Sequence, residues 1–455
     1  MAKSQVDNSS RGSLERILFV ESVDQTETYF TKGLRQGATQ SGAICEVIFL
    51  RDSKKQLKAE DQILKETVDY DPDLIVFIMD SPLCFPNLWK RMDKLRNIPK
   101  WSFWYDDFMR SPLTLESPDT WNDWQKNYHV TCFIWDGYWR QKWQEFTGHQ
   151  ALATHLAASP TQFNPQASPL YPELKEFAVM TGTIPSQINL RDEAEALPVT
   201  IRRCLQETIE TLSCEPWPIR PYETFNQVIL NSSMKSQTVT QAWLLEPHHQ
   251  YSLNQLLWQW SKRIVRLRGL SAASDIGPVA VLSGHHLQSY ACEQEIRSAL
   301  PRNAEFKFYD TTDISSHDWS ALYRSGLIQL QFTDPQSIQG GIPFRVFECA
   351  ASQAPLITDS RPELALLFPE RSSIYLCQDE NDLCQKLSTN EWKDCPSTQL
   401  TYQNFLDNHT WVKRWQQLLR TYLIHLIGGE NEHSTHSIRQ LSQSSSNRAD
   451  FNGEE

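Results

Sequence analysis

The chain has 455 residues, 40% hydrophobic and 22% charged, which suits two or three globular domains and excludes a collagen-like, coiled-coil or wholly disordered protein. Forty-three Lys and Arg against 55 Asp and Glu leave a formal charge of −12, the wrong sign for holding nucleic acid through phosphate contacts. Sixteen Trp beside 16 Gly predict aromatic-rich cores and clefts. The start, MAKSQVDNSSRGSLER, has no apolar signal core, and no apolar run reaches the ~18 residues of a membrane span. The ten cysteines stand singly, without a C-x-x-C pair. These features point to a cytoplasmic protein with reduced thiols.

In chain order, residues 1–13 read as a disordered start. From residue 14 to 168, apolar runs alternate with amphipathic stretches: ILFVES, ICEVIFL, DPDLIVFIMD, IPKWSFWYDD, HVTCFIWDGY and ALATHLAAS, separated by helical patterns such as LWKRMDKLRN, WNDWQKNY and YWRQKWQEFTG. Strands without polar alternation are buried on both faces, which argues for a parallel sheet covered by helices. A second series spans 169–428. It starts at EFAVMTGTI, pauses for a helical insertion at about 190–275, and resumes with PVAVLSG, EFKFYD, LIQLQF, APLITD and SIYLC. One long amphipathic helix is predicted at about 400–427, and residues 429–455 read as a disordered tail. The fold class is α/β, with two doubly wound, Rossmann-like domains facing a cleft and a helical insertion in the second. Ligands of such sheets bind at the carboxyl ends of the strands.

The segment QGGIPFRVFECAASQAPLITDSRPELALLF, residues 339–368, carries the most chemistry. Gly340 and Gly341 make a flexible loop, and Pro343 suits the first turn of a helix. Phe347, Ala350, Ala351 and Ala354 form a thin apolar stripe for close packing, while Arg345, Glu348 and Ser352 share another face. A loop feeding a helix N-terminus favours phosphate. Glu348, on the order of 10 Å further along, stands where a nucleotide's ribose would lie. The competing reading is a surface Glu paired with Arg345.

This segment resembles the GT-B glycosyltransferases, specifically the CgeB-like group related to a spore-maturation protein. That group's pattern is close to G-x-P-x-R-x-F-E-x-x-A-C-G-x-x-x-x-T-D-x-x-P-E-L-x-x-L-F, and the chain reads G-I-P-F-R-V-F-E-C-A-A-S-Q-A-P-L-I-T-D-S-R-P-E-L-A-L-L-F from Gly341 to Phe368. A closing H-T-Y/W segment matches His409-Thr410-Trp411, and DPDLIVFIMD, IPKWSFWYDD and HLAASPTQFNP extend a weaker likeness through the first half. The resemblance implies a hexosyltransferase-type enzyme that takes a nucleotide-diphosphate sugar in the second domain and an unidentified acceptor in the first, mainly with retention. It implies no bound metal or other cofactor. Glu348 would hold the donor ribose, with Arg345, Gly340, Gly341, Gly182 and Thr183 on the donor nucleotide. The final helix would cross back to the first domain.

The chain departs from the pattern in two places. Gly340 stands where the broader retaining group has a second Glu. Ser352-Gln353 replaces Cys-Gly, so Gln must tolerate a turn usually made by Gly.

For acceptor chemistry, Asp80, Asp106, Asp107 and Asp136 end strands at the cleft, and a carboxylate there could orient and deprotonate a hydroxyl. Asp107, after the aromatic run WSFWY, is the first choice; helix or turn capping is the competing role. His285-His286 could meet phosphate or a developing oxyanion, or simply stand in an edge loop, and His285 is the second catalytic candidate. His248-His249 read as surface. No metal site is expected, since neither His pair has a third ligand at useful spacing. Arg202 and Arg268 are the candidate diphosphate anchors, against the plainer reading of a solvated helix face.

No G-x-S-x-G, Walker A or G-x-G-x-x-G occurs, which disfavours hydrolase, NTPase and dinucleotide-oxidoreductase readings. The rival to an active enzyme is a degenerate glycosyltransferase-like binding or assembly protein. An epimerase would need a denser acid/base set, and a two-lobed solute receptor would normally be exported. The aromatic, basic helices of the first domain leave a peripheral membrane contact open.

Overall fold

The computed structural model describes residues 14–21, 27–52, 54, 56–85, 88, 95, 97–106, 108–284, 290–315, 318–333, 341–368, 372–389 and 397–429. The first domain holds β1 (Arg16–Glu21), β2 (Ile44–Phe49), β3 (Leu74–Ile78), β4 (Lys100–Trp104), β5 (Val130–Ile134) and β6 (Leu152–Ala153). They form one sheet in the order β2-β1-β3-β4-β5-β6, every neighbour parallel. β3 and β4 are buried throughout and β1 nearly so, because helices cover both faces. β2 lies at the edge and alternates instead, leaving Ile44 exposed. The covering helices include α1 (Tyr29–Gln40), α2 (Glu60–Tyr70), α3 (Pro118–Asn127) and α4 (Gly137–Thr147). Most of LWKRMDKLRN lies outside the described residues.

The Trp richness is structural here. Trp104, Trp121, Trp124 and Trp143 meet Phe108 in a mesh of edge and tilted rings with centroids 5.1–6.3 Å apart, each pair contributing about 0.5–1.5 kcal/mol beyond area burial.

The second domain holds β7 (Ala178–Thr181), β8 (Val279–Ser283), β9 (Phe306–Asp310), β10 (Ile328–Gln331), β11 (Leu356–Asp359) and β12 (Ile374–Cys377). Their order is β12-β11-β10-β7-β8-β9, again parallel. The chain moves outward from β7 through β9, then returns to the other side of β7 with β10. A crevice therefore opens between the carboxyl ends of β7 and β10. In the first sheet the same reversal falls between β1 and β3.

Five helices separate β7 from β8: α5 (Gln187–Glu195), α6 (Val199–Cys214), α7 (Pro221–Asn231), α8 (Met234–Leu244) and α9 (Pro247–Ser274). α9 has 28 residues, about 42 Å at 1.5 Å per residue. Its last turns pack on β8 and α14 (Glu380–Thr389), and its first turns reach the first domain, where the Asn254 amide donates to the Met109 carbonyl at 3.1 Å.

After β8 come α10 (Glu293–Ser298), α11 (Trp319–Tyr323), α12 (Phe344–Ala351) and α13 (Pro362–Leu367). Pro343 is the N-cap of α12 rather than its first turn. The expected single closing helix is two: α15 (Ser397–Asn408) and α16 (Trp411–Gly429). The break is the His409-Thr410 pair. The His409 ring packs on Phe347 and Phe368, at 5.5 and 5.0 Å, and Thr410 Oγ1 accepts the Lys413 N–H to start α16. α16 crosses to the first domain, where Gly33 and Gly37 of α1 let it approach; a Cβ at either would overlap Trp411. Arg414 is buried there, donating Nε and Nη2 to the Leu156 carbonyl at 3.2 and 2.9 Å, and burial pulls its pKa down to about 9.

Candidate functional site

Three stretches distant in sequence meet at the carboxyl end of β7. Gly182 follows the strand with φ +139°, and its N–H bonds the Leu282 carbonyl at 2.8 Å. A Cβ there would stand 3.2 Å from both terminal nitrogens of Arg345 and 3.4 Å from Arg266 Nη1. Two guanidinium groups therefore close over a residue that has no side chain. Arg345 rises from the first turn of α12, its Nη1 donating to Gln331 Oε1 on β10 at 2.5 Å. Arg266 comes from α9 and donates to the Thr183 carbonyl.

Several polar atoms at this edge are buried without hydrogen-bond partners among the described residues: Arg345 Nε, Ser283 Oγ at the end of β8 and Thr333 Oγ1 just past β10. A buried unpaired donor costs about 1–3 kcal/mol, so such groups collected at a sheet's reversal mark a ligand edge.

Glu348, one turn beyond Arg345, is not a surface residue; it is 8% exposed. Its Oε2 accepts from the fully buried Tyr323 hydroxyl at 2.6 Å, and Oε1 has no hydrogen bond among the described residues. Burial raises the Glu348 pKa, with Tyr323 and Arg345 acting against it. For Arg345, burial opposes the charge, but Tyr323 and Glu348 outweigh it and hold the pKa above the ordinary value. Tyr29, opening α1 of the first domain, lies edge-on to Phe344 at 4.9 Å. Its pKa is raised first by burial and then by Glu348, so the first domain reaches this helix directly.

Asp136 ties the domains together at the same edge. One carboxylate oxygen caps α4, accepting from the N–H groups of Tyr138 and Trp139 at 2.9 and 3.4 Å. The other accepts from the Gly341 N–H at 2.8 Å. Glu363, in the P-E-L stretch of the segment, faces Arg140 at 3.4 Å and His155 at 3.5 Å in the first domain. Asp359 accepts from the Thr333 N–H at 2.7 Å and pairs with Arg361 at 2.7 Å, both side chains buried.

The expected site residues thus divide. Glu348, Arg345, Gly341, Gly182 and Thr183 all stand at this edge. Asp107, His285 and Gly340 lie outside the described residues. Asp136 is a helix cap and an interdomain contact, and Asp80 accepts from the Ser111 hydroxyl at 2.6 Å. Neither basic anchor read from the sequence serves. Among the described residues Arg202 reaches only the Glu195 carbonyl, and Arg268 bonds the Glu215 carbonyl and Glu380. His248 and His249 belong to the insertion, where His249 stacks on Trp243 at 4.4 Å. Arg266 was missed because α9 reads as a surface helix; the only sequence signal is its spacing from Arg263, also buried, on one face. Among the described residues no three His, Cys, Asp or Glu side chains group as metal ligands, every cysteine is a free thiol, and no helix is long and apolar enough to cross a membrane.

Residues 287–420 match a family described as glycosyl transferase-like. No curated protein matches the chain. Solved structures resemble it over nearly its whole length. A glycosyltransferase from Rickettsia africae ESF-5 has a TM-score of 0.53 at 10% identity, with 90% of this chain and 98% of that one covered. Sucrose-phosphate synthase from Thermosynechococcus elongatus has 0.50 at 8%, covering 91% and 100%. Anabaena Alr3699/HepE, solved with UDP-glucose, has 0.50 at 9%, covering 90% and 99%. At these identities the likeness is one of fold, and the fold is GT-B.

Proposed function

We propose that the chain is a glycosyltransferase of the CgeB-like group that moves a hexose from a nucleoside-diphosphate sugar to an acceptor held by the first domain. The observation that carries this reading is the pair of guanidiniums over Gly182, with Arg345 Nε buried and unpaired beside them. When the bond from the anomeric carbon to the diphosphate breaks, the electron pair stays on the leaving group. With the diphosphate at the carboxyl end of β7, Arg345 and Arg266 would face that charge, and preorganised charge of this kind is a large contribution to catalysis; their closeness over Gly182 supports this reading. Glu348 Oε1 would accept from the ribose hydroxyls, with the stretch from Gly341 to Arg345 and Thr183 along the diphosphate; Gly340 is assigned to the donor by the resemblance alone. On this reading two arginines would supply the neutralisation a divalent ion otherwise gives, which supports metal-independent chemistry; retention and the lack of a cofactor are carried by the resemblance alone. Asp107 and His285 are kept as the acceptor-side and oxyanion candidates on sequence grounds alone. The Anabaena structure was solved with UDP-glucose, which makes UDP the first donor base to try.

Calorimetry with UDP, GDP, ADP, CMP and dTDP tests the proposal. One nucleoside diphosphate should bind selectively. Arg266→Met should weaken it about 10- to 100-fold, the worth of one charge-assisted hydrogen bond, and Glu348→Ala should remove the preference for ribose over 2′-deoxyribose. Absence of binding by every nucleotide at millimolar concentration would refute the donor site and leave the glycosyltransferase-like binding protein as the better description.

A further inference from the structure

A cavity of about 250 Å³ lies where the helical insertion meets the first domain. One wall is Tyr138 and Trp139, in the first turn of α4, which begins at the carboxyl end of β5. The other is Tyr222 and Asn226 on α7 with Gln250 and Asn254 on α9. Trp139 meets Tyr138 and Tyr222 nearly edge-on, with centroids 4.9 and 5.4 Å apart; Trp139 and Tyr138 are buried and back the half-buried Tyr222 ring, which is the aromatic surface open to a ligand. Asn254, 6% exposed, is fixed by its bond to the Met109 carbonyl, and its Oδ1 has no hydrogen bond among the described residues. Lys142, the only charged group on the lining among the described residues, pairs with Glu145 at 2.7 Å.

These surfaces suit a neutral sugar. A pyranose ring has an apolar C–H face that packs on aromatic rings and a rim of hydroxyls that both donate and accept, as amide side chains do. At roughly 30 Å³ per water the cavity equals about eight waters, room for one ring. Its place relative to the donor edge follows from Asp136, which binds the backbone of Tyr138 and Trp139 with one oxygen and Gly341 with the other. α9 links the two as well. Asn254 and Arg266 lie about 18 Å apart along the helix axis, a span that holds a diphosphate, a donor pyranose and the near edge of an acceptor ring in series.

We propose that this cavity binds a neutral pyranose unit of the acceptor, so that the helical insertion forms half of the acceptor site. The assignment rests on the glycosyltransferase reading for its role, but the cavity can be tested alone. The probes are the methyl glycosides of glucose, galactose, mannose and N-acetylglucosamine, titrated by saturation-transfer NMR and tryptophan fluorescence to about 50 mM, a range that captures weak monosaccharide binding. At least one should bind to the wild type. Asn226→Ala, at an exposed position, and Tyr222→Ala should each weaken it about fivefold, the loss of one neutral hydrogen bond or one ring contact, with affinity for the nucleoside diphosphate unchanged. If no glycoside binds, or binding is equal in both variants, the cavity assignment is overturned even where UDP binds. If a glycoside binds and the variants weaken it while no nucleotide binds, the cavity stands and the donor reading fails.

Discussion

Asp136→Asn isolates the contact that joins the domains at the donor edge. The substitution keeps size and shape, and it replaces an acceptor oxygen by an NH₂ donor. In the native protein one oxygen receives the Tyr138 and Trp139 N–H groups and the other receives Gly341 N–H. Asparagine can serve only one of these sets. Its amide oxygen should stay on the two N–H groups of α4, which leaves NH₂ facing the N–H of Gly341. The loss is one charge-assisted hydrogen bond, about 1.5–3 kcal/mol. In local exchange terms that is roughly 10- to 150-fold less protection. Amide hydrogen exchange of a peptide containing Gly341 reads it directly and needs no two-state assumption for a two-domain chain. Glu363→Gln is the internal comparison. It removes a pair at 3.4 Å between side chains 22% and 25% exposed, worth about 0–1 kcal/mol. Unchanged exchange at Gly341 in Asp136→Asn, or an equal effect from Glu363→Gln, would refute the assignment of Asp136 as the dominant polar tie.

Burial lowers the pKa of His155 to about 3 and of His409 to about 4, with Arg414 acting in the same direction. Both are neutral in the folded chain, and an unfolded His takes a proton near 6.5, so the unfolded state binds more protons in acid. Their contribution to stability is complete above pH 6.5 and is lost as pH falls, toward 4 for His409 and toward 3 for His155. Urea melts across that window should show falling stability, and His409→Gln should flatten the slope; an unchanged slope would contradict the assignment. Gln353 has φ +52°, a left-handed conformation costing a non-glycine residue about 1–2 kcal/mol. Its side chain makes one exposed bond, to Gln399 at 2.9 Å. Gln353→Gly should raise thermal stability by about 0.5–1 kcal/mol after the entropy cost of glycine, and a lower melting temperature would count against it.

That last position shows what a linear pattern can carry. The resemblance marks residue 353 as a glycine turn, and the backbone makes that turn with Gln in place. The central strands were legible because a parallel strand covered on both faces has to be a continuous apolar run, as in LIVFI and VAVLS; edge strands such as β2, partly exposed, were legible as short β-branched runs between helical patterns. Glu348 and Arg345 were legible because both lie in one short segment feeding one helix. The single closing helix failed because periodicity continues through His409-Thr410, and only the His409 ring, lodged on Phe347 and Phe368, reveals the break. Arg202 and Arg268 failed for a related reason. A basic residue on a helix after a strand is common, and whether its guanidinium reaches the cleft depends on the rotation of that helix, which spacing alone leaves undetermined.

Arg266 shows why the missing anchor lay in the insertion. A parallel neighbour such as β8 must be reached from β7 by a crossover, usually a helix. Here the last turns of α9 do that work, packing on β8 and on Phe332 at Gly269, where a Cβ would overlap the ring. The first turns extend the same helix to Met109 in the first domain. The insertion is therefore an enlarged crossover that carries a small core of its own around Leu205, Phe225 and Leu256, and its last half passes the carboxyl end of β7, where Arg266 meets Thr183. One helix then contacts both the donor edge and the cavity lined by Tyr222 and Asn254. The distance between those two places is set by residue count at 1.5 Å each, so closing the domains can change their angle to the first sheet but not their separation along α9.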